Sequence, residues 1–525
     1  MNGRLRGQLA GALVLAGILA LVAGSLGALA SAAGASDGLS GIGPYLVRIL
    51  AFSTAQAALS TLLSLALGVP LALALARRRF PGRHLALAAL GAAAVMPAIV
   101  VVFAVVAVYG RGGWLSGLLA QFGIGPAFRV YGWPGILIGH VLLNAPLVAR
   151  VALDALARVP AEHWRLARLL GFSPLAVLRH LDLPVLRAEL AGLASLVFLL
   201  CFTSFAIVLT LGGGGRASLE VAIFEALRVD LDFARAAALS VVQIVLCGTV
   251  ALALHRAVAR APVGHTLRAA IPRPDRDHRG LRLLDGAVLA LGALLILPPL
   301  LSLAAALPHL SALLDADVAR ALVTSLAIAL ASAGLATGMA LALAGAARSA
   351  RLVQRSGRAA ALYDLAPALV IAAPPFALTA GLFLLVRRAV DPALAGYALL
   401  PLMNALGALP FAYRFLAGPA MAGGERYGRL ADLLRLRGLA RLRIVDWPLL
   451  RRPFAAAFAM AMALSFGDFG VVALLGGSEL RTLPYLLYER LGAYRLDEAA
   501  ALGLLLVLVA FALAYASSRF TDVSH

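Results

Sequence analysis

The residues with the most to say lie in two short segments of a chain that is otherwise rich in Leu, Ala and Val. Arg165 to Pro184 reads RLARLLGFSPLAVLRHLDLP, and 264 positions later Arg429 to Pro448 reads RLADLLRLRGLARLRIVDWP. Laid over one another without a gap, they agree at 11 of 20 positions, and both end in a shared Asp and Pro. Leucines at the second, fifth and sixth places have helical spacing beside arginines, so each copy presents an apolar stripe flanked by positive charge. The chemistry this serves is non-covalent: a short helix laid into a groove on a partner protein. The competing reading is a basic amphipathic loop resting on anionic lipid. Lipid contact accounts for Arg and Leu but does not require one register twice, whereas two equivalent receptor sites on a symmetric partner do.

Covalent chemistry finds no support. All 45 basic residues counted as Lys plus Arg are arginine, which excludes a nucleotide-binding Walker A loop, whose Lys must reach the phosphates. The nine histidines are scattered, and no His/Cys group has metal-ligand spacing. Cys201 and Cys247 lie in apolar runs and read as small buried thiols rather than a disulfide. No nucleophile and base are paired, and no cofactor is implied.

The elements that position the two segments follow from composition. The chain has 525 residues, 62% hydrophobic and 13% charged, with a mean hydropathy of +0.94. Ordinary globular domains carry about 25% charged residues, so the apolar excess belongs in a bilayer. The net charge of +20 sits in short arginine clusters between apolar stretches, such as RRRFPGR from Arg77 to Arg83. That is the positive-inside pattern and argues against nucleic acid. Spans are expected at about 9–30, 49–76, 87–109, 133–153, 189–211, 235–256, 284–306, 319–345, 358–386, 396–418, 454–475 and 498–517. The first apolar run exceeds the ~7–15 residues of a signal-peptide core and reads as a transmembrane helix. Twelve spans with the basic loops inside place both termini in the cytoplasm.

The repeat reaches beyond the opening segments. SFAIVLTLGG from Ser204 lies over DFGVVALLGG from Asp468, and Glu225 over Glu489, at the same spacing of 264. The expected fold is therefore an all-α polytopic membrane protein of about twelve transmembrane helices in two parallel-repeat halves. The first six-span half is 1–256, a cytoplasmic linker rich in Pro and charge is 257–283, and the second half is 284–525. Each repeated segment falls in a cytoplasmic loop between the fourth and fifth spans of its half. A Pro or Gly in its middle should bend it into two short helices, and Pro184 and Pro448 should stop it before the next span.

From Gly171 to Leu181, Leu183 and Pro184, the first segment resembles the cytoplasmic coupling loop of ABC importer permeases. That family motif begins Glu-Ala-Ala, has Gly four residues later and ends apolar-x-Leu-Pro. Here Arg165, Leu166 and Ala167 and, in the second copy, Arg429, Leu430 and Ala431 stand at the Glu-Ala-Ala places. Arg435 replaces the Gly, Val445 is the apolar residue and Trp447 precedes Pro448. Glu162 and Glu425 lie upstream and are candidates to replace the missing Glu. A single chain with two fused halves is similar to the permeases for ferric iron and thiamine, and Ser204–Leu239 and Ser465–Phe511 resemble thiamine permeases. The resemblance implies a type I importer permease fold in the bacterial inner membrane, with no ATPase site of its own. It implies two copies of an ABC ATPase as partners, seated on the loops through Leu166, Leu170, Leu430 and Leu434, and a periplasmic thiamine-binding protein. The same architecture also fits a ferric iron or other small-solute importer.

Asp468 falls inside the eleventh expected span, with Ser204 at the equivalent place. An intramembrane carboxylate is a functional candidate, and with Phe205 and Phe469 it could meet a cationic thiazolium; the alternative is a bond to backbone or to an arginine. Asn144 and Asn404 are expected to hydrogen-bond between helices, and Pro97, Pro374 and Pro375 to kink their spans. An ATP-independent secondary transporter would need matched ionisable groups at the midplane, and only Asp468 qualifies.

Overall fold

A computed structural model describes residues 3–34, 42–94, 96–123, 130–213, 216–258, 273–372, 375–386, 392–436, 438–476 and 480–521. Among the described residues every regular element is helical, as hydrocarbon demands of a backbone that must satisfy its own polar groups. In chain order the first are α1 (Gly3–Gly34), α2 (Ile42–Arg77), α3 (Arg83–Ala94), α4 (Ala98–Tyr109), α5 (Trp114–Gln121), α6 (Trp133–Leu156) and α7 (Ala161–Leu169). Then come α8 (Pro174–Val177), α9 (Leu183–Phe202), α10 (Ala206–Leu211), α11 (Leu219–Arg228), α12 (Phe233–Val258) and α13 (Arg279–Ser302). The second half continues with α14 (Ala316–Leu352), α15 (Gly357–Ala372), α16 (Pro375–Val386), α17 (Pro392–Leu433) and α18 (Gly438–Arg441). It closes with α19 (Trp447–Phe466), α20 (Gly470–Leu475), α21 (Leu483–Gly492) and α22 (Leu496–Thr521).

Among the described residues, ten helices are long and apolar enough to cross a membrane. The count is eleven if Pro174–Arg187 and Glu189–Phe202, bent by 52°, form one span. Within the expected span at 358–386, α15 reaches Ala372 and α16 begins at Pro375, and residues 373 and 374 lie outside the described residues. Pro374 is thus not described, and Pro375 is the first described residue of α16. The stretch 87–109 is not one helix, since residues 96 and 97 between α3 and α4 are not helical. Pro97 does not kink a continuous helix but caps the start of α4, because a residue without an N–H is best placed where none is needed. The candidate span there runs from Ala98 to Gln121.

The chain packs as two compact units, 1–47 with 219–249 and 310–525, and 48–218 with 250–309. Each draws helices from both sequence halves. In the first, α1 lies along α14 and α16, and Ser25 donates its hydroxyl to the Leu378 carbonyl at 3.1 Å. Contact with α14 is so close that a Cβ on Gly11 would stand 2.3 Å from that of Ala346. In the second unit, α13 lies against α3 and α4. Of the expected linker 257–283, residues 259–272 lie outside the described residues.

The sequence repeat is also a structural one. Helices α8, α9, α10 and α11 start and end 264 residues before α18, α19, α20 and α21 respectively. Between α8 and α9 a wide turn spans Leu178–Asp182, and its counterpart spans Leu442–Asp446.

Candidate functional site

The first repeated segment begins after Pro160, whose extended backbone starts α7. On α7, Trp164 and Ala167 turn inward while Leu166, Leu169 and Leu170 turn out. In the second copy the same face is borne by the last turns of α17, where Ala431 is buried and Leu430, Leu433 and Leu434 are exposed. The outermost pair, Leu169 and Leu433, is 84% and 81% exposed. Apolar side chains at that exposure, three to a helical turn and twice in one chain, form two small unpartnered faces. Arg165 and Arg429 are exposed beside them, as are Glu162 and Glu425.

Both faces end in the same turn. The Phe172 N–H donates to the Ala167 carbonyl and the Leu436 N–H to that of Ala431, each at 2.9 Å. Such a six-to-one bond closes over a residue in left-handed conformation, here Gly171 at φ +60° and Arg435 at φ +53°. Glycine takes this conformation freely, and Arg435 holds it at a cost of about 1 kcal/mol. The exchange of Gly for Arg thus changes the side chain but keeps the backbone.

Pro184 and Pro448 do not stop the segment, as their type suggested; each lies in the first turn of the span, α9 or α19. The chain enters through a widened turn in which the Leu183 N–H reaches back to Leu178 and the Trp447 N–H to Leu442. A proline ring clashes with the carbonyl four residues back in an α-helix, and the wider turn makes room for it. Leu181 packs inward with Phe172 and Val185 on a small core of Val159, Trp164 and Val177, while Val445 is half-buried.

The residues that seat these turns escaped the sequence reading. Asp182 and Asp446 hold equivalent places and are both buried. Arg273 grips Asp182 with two hydrogen bonds of 2.6 and 3.0 Å and lies 4.6 Å from the centre of the Trp164 ring. Arg348, from α14, grips Asp446 at 2.7 and 3.3 Å. A cleft of about 720 Å³ opens beside the second segment, lined in part by Arg348, Arg429, Asp432, Arg441 and Asp446. The identity of the Asp in both copies was a usable signal, and so was the outward register of Leu169 and Leu433. Nothing in the sequence singles out Arg273.

Ser204, Phe205, Asp468 and Phe469 occupy equivalent breaks, between α9 and α10 and between α19 and α20. The Ser204 N–H donates to the Cys201 carbonyl at 3.3 Å, and that of Asp468 to Ser465 at 3.2 Å. One Asp468 carboxylate oxygen accepts the Val471 N–H at 3.3 Å, which caps α20. Phe205 and Phe469 are buried, the latter with its ring centre 4.9 Å from that of Tyr488. The amides of Asn144 and Asn404 bridge helices, to Cys201 Sγ at 3.4 Å and to Ser465 Oγ at 3.0 Å. Both cysteines are free and buried.

Residues 67–262 match the family described as the inner-membrane component of binding-protein-dependent transport systems. Along nearly its whole length the chain is similar to curated relatives. It is 40% identical over 519 residues to the thiamine transport system permease protein ThiP of Brucella melitensis, covering 97% of this chain and 94% of the relative. To the proteins of the same description from Salmonella typhimurium and Escherichia coli it is 39% and 40% identical, over 89% of this chain and 88% of each relative.

Proposed function

Because the chain belongs to the family of thiamine transport system permease proteins, we propose that it is the translocation subunit of an ATP-driven importer for thiamine and its phosphates. Two six-span halves, 1–256 and 284–525, enclose the pathway in the bacterial inner membrane with both termini cytoplasmic. Two copies of a separate ATPase subunit sit on the two repeated segments, and a periplasmic binding protein delivers the solute. The ATPase supplies the free energy; this chain converts its movement into rearrangement of the spans and performs no covalent step.

The observation that carries the coupling role is the pair of matched leucine faces. Leu166, Leu169 and Leu170 stand clear of α7 as Leu430, Leu433 and Leu434 stand clear of α17, with Ala167 and Ala431 buried behind them. Each face is backed by a closed turn and leads through a widened turn into a span, so a push on it travels as a rigid body. The thiamine assignment rests on the relatives. Ser204, Phe205, Asp468 and Phe469, at breaks in the equivalent spans, are the pathway residues this reading favours.

The test is uptake of labelled thiamine into proteoliposomes carrying the permease and its ATPase, with binding protein outside and ATP inside. A parallel preparation carries Leu166, Leu170, Leu430 and Leu434 changed to Asp. ATP-dependent uptake that vanishes in the variant is the expected result. ATP hydrolysis stimulated by the binding protein without thiamine movement would redirect the substrate to another small solute such as ferric iron. Uptake indifferent to ATP and to the substitutions would overturn the importer reading.

A further inference from the structure

In the unit that carries the first segment, a connected group of six charged side chains has no assigned role. It contains three arginines and three aspartates. Asp182 closes the wide turn that follows the leucine face. It is held by Arg273, which also bonds Asp275 at 3.1 and 3.2 Å. Asp275 lies 3.7 Å from Arg77, at the end of α2. Arg77 in turn bonds Asp285 of α13 at 2.8 and 3.2 Å, and Arg78 bonds the same carboxylate at 2.7 Å. The charges balance to zero, and the carboxylates of Asp182 and Asp275 are almost wholly buried.

Burying six charges is costly, and a buried ion network is weak grounds for claiming stability. Its worth is geometric: each link is directional, and the arginine forks fix two atoms at once. Burial by itself would lower the pKa of Arg273, yet its bonds to Asp182 and Asp275 outweigh that and raise it. The cation is therefore permanent. It also covers the face of Trp164, the residue behind Leu166 and Leu169, so one side chain holds both α7 and the wide turn. The short helical turn Pro274–Asp277 that carries Asp275 packs on α7 and α8.

We propose that Arg273 is a positioning residue for the first leucine face, and that the chain Asp182–Arg273–Asp275–Arg77–Asp285 delivers displacement of that face to the ends of α2 and α13. The second face has a shorter connection, a single step from Asp446 to Arg348 on α14. The inference rests on the reading of these faces as ATPase seats, but its first test does not.

That first test is hydrogen exchange by mass spectrometry on the permease alone in nanodiscs. Arg273→Ala should speed exchange across residues 161–182 about tenfold and leave 425–446 unchanged. Asp285→Asn, several links away, should act on 161–182 in the same direction with a smaller effect. Unchanged exchange in 161–182 for either variant overturns the network. The second test uses the reconstituted complex. Thiamine moved per ATP hydrolysed should fall about fivefold in Arg273→Ala, while the ATPase retained on purification stays within about twofold of wild type. Arg273→Lys keeps the charge but loses the fork and should fall between; it also replaces the Ala variant if that fails to fold. Parallel loss of uptake and ATPase retention in Arg273→Lys would reduce Arg273 to a structural residue and overturn the positioning role. A wild-type complex that moves no thiamine would sink the importer reading and leave the exchange test standing.

Discussion

The two repeated segments share their surface and differ in how they are braced. Residue for residue, the exposed leucines, the buried alanine, the left-handed turn and the widened turn before Pro coincide. Yet α7 is a separate helix of 9 residues, whereas its counterpart is the end of α17, which runs for 42. The cause is local. Pro160 sits where the second copy has Gly424, and a proline there removes an N–H and drives its predecessor out of helical conformation. Gly424 lets α17 continue and also lets α14 approach, since a Cβ at that place would stand 2.7 Å from Arg348 Cδ and Leu352 Cδ1. The same approach brings Arg348 onto Asp446. The first segment takes its arginine, Arg273, from beyond the first half. One surface can thus be built on two supports.

Leu169→Asp and Leu433→Asp, made singly, should each weaken binding of the ATPase by about 2 kcal/mol, roughly 30-fold, as loss of a central apolar anchor does. Titrating labelled ATPase onto the permease measures both, and a large effect at only one would show that the faces are unequal.

Next come the braces. Asp182→Asn strips a buried fork of its charge and should destabilise the permease by about 3 kcal/mol. Asp446→Asn should cost less, about 1–2 kcal/mol, because Arg348 is partly solvated. Denaturation of the two variants in detergent micelles orders them, and the reverse order would overturn the view that the first segment depends more on its brace.

Gly424→Ala should follow at about 1 kcal/mol, the cost of a crowded methyl group that displaces Arg348. The same denaturation measurement reads it, and loss of the Arg348–Asp446 pair should appear as faster exchange confined to residues 425–446.

The finest test is at the turns. Arg435→Gly should stabilise by about 1 kcal/mol, and Gly171→Arg should cost a similar amount. The space around Gly171 is open, so backbone conformation is the term that changes. Thiamine uptake by the two variants then shows whether the arginine at 435 serves the partner or merely tolerates its place.

Much of this was legible beforehand because it is local or periodic. Leucine spacing gave the two faces, and the 264-residue repeat announced paired elements whose ends coincide in the structure. Two expectations fail for a common reason. The residue type suggests a terminator at 184 and 448 and a kink at 97, but in all three places proline stands at the start of a helix. The residue type marks a boundary and does not say on which side the helix lies.

By itself, then, the sequence determined a lysine-free membrane protein with two equivalent basic, leucine-bearing segments, since composition, periodicity and repetition are properties of neighbours along the chain. The tertiary structure decided which helices from both halves share a compact unit and which arginine holds each buried aspartate. Among 45 arginines, only packing can choose Arg273 for Asp182 and Arg348 for Asp446. A buried carboxylate selects the guanidinium that reaches it in three dimensions, and distance along the chain carries no trace of that choice.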